Sequence, residues 1–198
     1  MIKKAFANFI IKRTFAAKLR NKGMNTFSNF EILKSIRTSA ELKRTEENRP
    51  HEVMYFHKVD DPYSHLAIQY IDKLQESFDI SFQAILVGEE NSDAVHEPSL
   101  YSTYCLEDAK RIAPFFGVEF SAESYPSAEL VIKSNKILTA VDTLNFAEVA
   151  KKVSSALWSS NESILDDLSR EYSASDEEVS NKLESGNLIR SEKDYYFG

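Results

Sequence analysis

Residues 52–87 admit few arrangements. Glu52–Lys58 (EVMYFHK) is a short run with Val, Tyr and Phe, β-prone by composition. Asp60, Asp61 and Pro62 follow it. Aspartate is a good N-cap, and proline suits the first helical position, where the N–H it lacks would have no partner. From there Tyr63, Leu66, Ala67, Tyr70, Ile71, Leu74 and Phe78 fall at three- and four-residue steps, which is one apolar helical face. Ile80–Val87 (ISFQAILV) is a second strand, and its continuous AILV end suits a buried position. Two strands joined through a helix of this length run parallel, with a right-handed crossover.

Beyond Gly88 the pattern turns helical. Glu89–Asp93 (EENSD) reads as a solvated polar loop, since it lacks the glycine and spaced carboxylates of a calcium loop. Pro98 starts a helix carrying Leu100, Tyr101, Tyr104, Cys105, Asp108, Arg111 and Ile112, ending near Gly117. Pro126 starts another, with Leu130, Ile137, Leu138 and Val141. Phe146, Val149, Ala150, Val153 and Leu157 form a third, with Trp158 at its end. Asn161 caps a fourth. Ser175 to Glu178 is a capping box opening a last helix that Gly186 closes. Tyr195 and Phe197 then begin a further strand. The expected fold class is α/β, a βαβ unit over 52–87 with a large all-helical insertion over 98–185 and the start of a strand at 195–198.

Charge divides the chain. Residues 1–50 hold 12 Lys and Arg against 4 Asp and Glu, whereas residues 51–198 hold 12 against 27. A basic helical leader therefore precedes an acidic body. In the leader, Phe6, Phe9, Ile10 and Phe15 recur at near-helical spacing with Lys and Arg between them. A secretory signal is one reading, although Lys12 and Arg13 cut the apolar region short. A helix at 1–24 lying weakly on an anionic membrane surface is a second, and a solvated amphipathic leader packing on the body or on a partner is a third. The acidic body would repel phosphate, which argues against nucleic acid as partner. Phe27, Phe30, Leu33 and Ile36 predict a short helix within Thr26–Arg44, and Lys43–Pro50 (KRTEENRP), without an apolar residue, is the expected linker.

Several chemistries are excluded. A single cysteine, Cys105, rules out an internal disulfide, a CxxC pair and a thiolate-rich zinc site. The four histidines lack zincin spacing, so no metal site is expected. Five glycines form neither a GxGxxG nor a Walker run. No apolar stretch approaches the roughly 20 residues of a membrane span.

The stretch VMYFHKVDDPYSHLAIQYIDKL resembles the first strand and active-site helix of the DsbA-like thioredoxin superfamily. Its nearest likeness is to the branch of glutathione-dependent 2-hydroxychromene-2-carboxylate isomerases and kappa-class glutathione transferases. Those proteins carry a Ser-Pro-Tyr-Ser type element where disulfide oxidoreductases carry Cys-x-x-Cys; here it is Asp61-Pro62-Tyr63-Ser64. Tyr104 to Gly117, with Asp108, Arg111 and Ala113, is similar to the Tyr…Asp…Arg-x-Ala…Gly helix of that branch, and Ala156-Leu157-Trp158 also fits. The resemblance implies a thioredoxin-like domain over 51–198, Asp61 and Ser64 as catalytic positions, and Pro62, Tyr63, Tyr104, Asp108 and Arg111 as a site for glutathione and a small electrophilic substrate. With disulfides absent and no convincing export signal, a cytoplasmic protein is expected, and the leader adds the reading of one peripheral to the inner membrane.

The first motif position departs from that pattern. A thioredoxin-type redox site needs a thiolate at the helix start, so disulfide exchange through this motif is chemically excluded. A serine hydroxyl there can donate to a glutathione thiolate; an ionised Asp61 only accepts, and repels it. Ser64, one turn along, is the remaining hydroxyl that could point toward a bound thiol. Plain structural roles stand beside these. Asp61 and Pro62 can be an ordinary helix start, Tyr63 a core residue with its hydroxyl at the surface, and Ser64 and His65 exposed first-turn residues. Asp108 and Arg111 can be a surface ion pair, and Cys105 a buried small hydrophobe. A catalytically silent thioredoxin-like binding module is the alternative function. The family's cis-proline has no counterpart after Pro126, and two strands make an incomplete sheet. The expectation is the N-terminal part of a longer protein, or a truncated product, with an open edge on the first strand that invites pairing or oligomerisation.

Overall fold

The computed structural model describes residues 17–25, 29–88 and 97–197. The segments carrying Phe6 to Phe15 and the Glu89–Asp93 loop lie outside the described residues. The chain divides into two compact units, Met1–His51 and Glu52–Gly198.

The first unit contains α1 (residues 17–25) and α2 (Phe30–Glu46). Asn29 caps α2, its Oδ1 accepting from the backbone N–H of Glu31 at 3.0 Å and of Ile32 at 3.2 Å. The helix buries no residue. The expected linker begins too early, because Lys43–Glu46 belong to α2. Lys, Arg and Glu are good helix formers, and Arg44 clasps Glu41 through two hydrogen bonds, so nothing ends the helix before Asn48, at φ +50°, and Pro50.

β1 (His51–His57), which enters the second unit at Glu52, forms the expected βαβ unit with α3 (Pro62–Ser77) and β2 (Ile80–Leu86). The strands pair in parallel, and the Val87 N–H donates to the His57 carbonyl at 2.9 Å. Among the described residues the sheet has two strands, in a fold with a helical majority: α/β in class. The helices α4 (Pro98–Phe116), α5 (Ala128–Ala140), α6 (Phe146–Trp158), α7 (Glu162–Glu171) and α8 (Asp176–Phe197) follow. The core centres on α6, which buries Phe146, Val149, Ala150, Val153 and Leu157 and packs against α3, α5 and α7. Leu66, Ala109 and Ala113 make a smaller cluster between α3 and α4. No described helix is long and apolar enough to cross a membrane.

Several ends follow local chemistry. Gly117 ends α4 at φ +62°, Asn161 caps α7, and Ser175 and Glu178 close a reciprocal capping box at the start of α8. Other expectations are corrected. α5 starts at Ala128, not Pro126, because the Ser127 hydroxyl accepts from the Leu130 N–H and makes Ser127 the cap. The buried face of α3 is Ser64, His65, Leu66, Ile68 and Ile71, while Ala67, Tyr70 and Phe78 are exposed. Leu66 and Ile71 of the expected face are buried, but the stripe is shifted to take in two polar residues with internal partners. Residues 195–197 extend α8 and do not start a strand. Among the described residues no strand neighbours them, and the helix takes up their N–H groups. Gly186 does not close α8 but lies inside it. A Cβ there would stand 2.0 Å from the Leu86 carbonyl oxygen, so the helix rests on the end of β2 through a residue without a side chain. The Gly88 N–H donates to Asn187 Oδ1 at 3.1 Å beside this contact.

Candidate functional site

The end of β1 and the first turn of α3 are tied by a chain of hydrogen bonds. Asp61 sits in extended backbone as the N-cap, and its Oδ2 accepts from the Ser64 N–H at 2.7 Å and from the Ser64 hydroxyl at 2.8 Å. The Ser64 oxygen in turn accepts from the Lys58 N–H at 3.3 Å. The Tyr55 hydroxyl donates to the Ser64 carbonyl at 2.9 Å. A phenol has one proton, so the 2.7 Å contact between Tyr55 Oη and His57 Nδ1 must be donated by the imidazole. That assigns the proton of neutral His57 to Nδ1 and leaves Nε2 bare in the core, with no hydrogen-bond partner among the described residues. Burial, then the charge of His65, pushes the His57 pKa down to about 3. Burial and the Asp61 charge push the Tyr55 phenol far above its ordinary value.

Ser64 and His65 are buried, not exposed first-turn residues. The Ser64 proton is committed to Asp61, so the hydroxyl does not face outward for a thiol. Pro62 is buried at the first helical position. The other Asp61 oxygen, Oδ1, carries no hydrogen bond from a described residue.

Tyr63 is half-buried, and its hydroxyl donates to Asp108 Oδ2 at 2.8 Å. This bond crosses from the first turn of α3 to the middle of α4 and joins the two short windows singled out in the sequence. Burial, then the bond to Asp108, holds the phenol well above its usual pKa, so it stays protonated as a donor to the carboxylate. Asp108 therefore turns to Tyr63, and the Asp108–Arg111 ion pair does not form. Arg111 is exposed and makes no ion pair with a described residue; Tyr104 is exposed one turn before Asp108. Cys105 is buried, 4% exposed.

No family model matches the chain, and no curated protein matches it either.

Sequence reasoning missed Tyr55, His57 and Tyr125. Tyr125 donates to the Ser102 carbonyl at 3.2 Å and sits near the same corner. Burial, then Cys105 and the Asp61 and Asp60 carboxylates, pushes its phenol up to about 12. Tyr55 and His57 lie two apart on one strand, and that alternation was the available signal. Tyr125 lies in a connection without periodicity, where no signal existed. No described group of three or more His, Cys, Asp or Glu is placed to hold a metal ion.

Proposed function

We propose that residues 52–198 are a DsbA-like, thioredoxin-type domain of the glutathione-dependent isomerase and transferase kind, acting on a small electrophilic compound. The Tyr63–Asp108 hydrogen bond carries this reading, because it puts the Asp61–Ser64 element in direct contact with the Tyr104–Arg111 helix. The thiol is handled differently from a serine-type site. With the Ser64 proton directed at Asp61, the corner offers a thiol acceptors and negative charge. It holds glutathione as the S–H donor to Asp61 Oδ1. As the S–H bond breaks, sulfur bonds to the electrophilic carbon, the proton passes to Asp61, and the displaced electron pair moves onto the substrate's acceptor group. Arg111, exposed on α4, is available for a glutathione carboxylate. We place this activity in the cytoplasm, with the basic leader as a weak contact to the inner-membrane surface.

Glutathione titration followed by NMR tests the reading. Saturable shifts at Tyr63, Ser64 and Arg111 are expected, and no binding at millimolar ligand ends it. One observation favours a second reading, a catalytically silent binding module: the Ser64 hydroxyl is already consumed by Asp61. That reading predicts no glutathione binding and a domain that recognises a peptide or partner protein.

A further inference from the structure

Helix α4 buries Cys105, Leu106, Ala109 and Ala113 against the fold. Another side of the same helix stays outside. Leu100, Tyr104, Arg111 and Phe115 follow one another at steps of four, seven and four residues. That spacing sets them within about 60° of one another around the axis and over about 22 Å of its length. Leu100 is 68% exposed, Tyr104 59% and Phe115 87%. Arg111 is exposed in their midst and makes no ion pair with a described residue. Single exposed apolar side chains are ordinary on a protein surface. A row of them around an unpaired guanidinium has the composition of an interface centre, where Tyr, Phe and Arg are enriched.

The row is also palindromic. Leu100 and Phe115, like Tyr104 and Arg111, lie at equal distances from the midpoint between Glu107 and Asp108. Two copies of α4 laid antiparallel about a two-fold axis through that midpoint set Leu100 against Phe115 of the second copy, and Tyr104 against its Arg111. Every contact then occurs twice, and the interface closes at two copies. A guanidinium stacks on a tyrosine face by cation–π attraction. Arg111 also lies one turn from the acidic pair astride the axis, Glu107 and Asp108, so cation meets carboxylate across it. Within one copy Glu107 is held by Lys110 and Asp108 by Tyr63, which leaves Arg111 for the other. With the Tyr101 ring, 54% exposed, and the Arg111 stem, the row offers about 500 Å² per copy, and about 1,000 Å² for two. That stands at the lower bound for a specific interface and fits a weak, reversible dimer. The net charge of -7 on each chain opposes association at long range, and physiological salt screens most of it.

We propose that this face of α4 is the contact surface of a homodimer, in antiparallel register centred between Glu107 and Asp108. The proposal does not rest on the glutathione reading. A stacked Arg111 keeps its in-plane N–H groups for a carboxylate, and the test uses no glutathione.

Sedimentation equilibrium of the full chain at physiological ionic strength should show a monomer–dimer equilibrium across the concentration range. Phe115→Glu should weaken it roughly tenfold or more, and Tyr104→Ala should weaken it in the same direction. Leu144→Glu, at a residue 95% exposed in the connection before α6, should leave it unchanged. The register has its own test. Leu100→Glu and Phe115→Lys should each weaken the dimer, whereas both in one chain face each other across the axis and should associate more tightly than either single variant. All these positions are exposed, so the core is untouched. A chain that stays monomeric at every concentration, a dimer that survives Phe115→Glu, or a double variant no tighter than its singles would overturn the proposal.

Discussion

Replacing Gly186 with alanine should weaken this protein, although the same change in most helices strengthens them. Alanine is favoured over glycine in a helix interior by about 1 kcal/mol. At Gly186 the added Cβ would stand 2.0 Å from the Leu86 carbonyl oxygen, 3.0 Å from the Leu86 carbonyl carbon and 3.3 Å from Ile85 Cγ2. The first distance is about 1.4 Å short of ordinary contact at 3.4 Å, and the opposing atom is backbone that cannot rotate away. α8 must lift from the end of β2. Overpacking of this kind costs about 1–3 kcal/mol. Lifting the helix also breaks the bond from the Gly88 N–H to Asn187 Oδ1, worth about 0.5–1.5 kcal/mol. Against the propensity gain, the net loss is about 2 kcal/mol. Urea unfolding followed by Trp158 fluorescence measures it, and hydrogen exchange at the Gly88 amide locates it. Gly23→Ala is the control: a Cβ on that helical glycine would meet nothing within 4 Å, so alanine there should raise helicity without loss. A Gly186→Ala chain as stable as the parent, with the Gly88 amide still protected, would refute the reasoning.

Acid should unfold the second unit early. His57 and His65 are buried with pKa values pushed to about 3 and about 4 from 6.5, so the unfolded chain binds protons that the folded chain refuses. Their stabilising effect is complete above pH 6.5 and is lost as pH falls toward those values, at up to about 1.4 kcal/mol per pH unit for each histidine. The urea midpoint measured across that window checks it, and His65→Gln should flatten the slope by about half. Tyr63→Phe removes the bond to Asp108 and should cost about 1 kcal/mol in urea unfolding; no change would mean that the bond does not join α3 to α4 in solution. Asp61→Ala removes the cap of α3 and should cost about 1 kcal/mol. Asp61→Ser keeps a capping oxygen and supplies a donor, so it should lower the pKa of bound glutathione, read by thiolate ultraviolet absorbance.

What was legible in the chain was local. The Asp61-Pro62 start of α3, the Asn161 cap, the Ser175–Glu178 box and the Gly117 stop each depend on groups within about four residues, and they stand where the spacing put them. The βαβ order was readable for the same reason. Gly186 reads as a stop because glycine after a helical pattern is the usual stop; its real constraint is a carbonyl a hundred residues earlier, which no window contains. The α3 face was right at Leu66 and Ile71 and wrong at its margin, because hydropathy ranks Tyr70 and Phe78 above Ser64 and His65. Burial instead followed which polar groups found partners in Asp61, Ser154 and Gln69. At the candidate site, Tyr63 and Asp108 meet, but the direction of the Ser64 hydroxyl and the parts of Tyr55 and His57 depend on contacts between β1 and α3 that only folding creates.

The bracing of α3 by β1 has a thermodynamic consequence for anything that docks at the Asp61 end. Because Tyr55, Lys58 and Asp61 already pin Ser64 from three sides, the corner surrenders its freedom during folding and has little left to lose afterwards. Recognition there belongs to a preformed surface. Calorimetry of a ligand at this corner should therefore give a heat-capacity change no larger than the contact area itself explains, with no added contribution from a segment ordering around the guest.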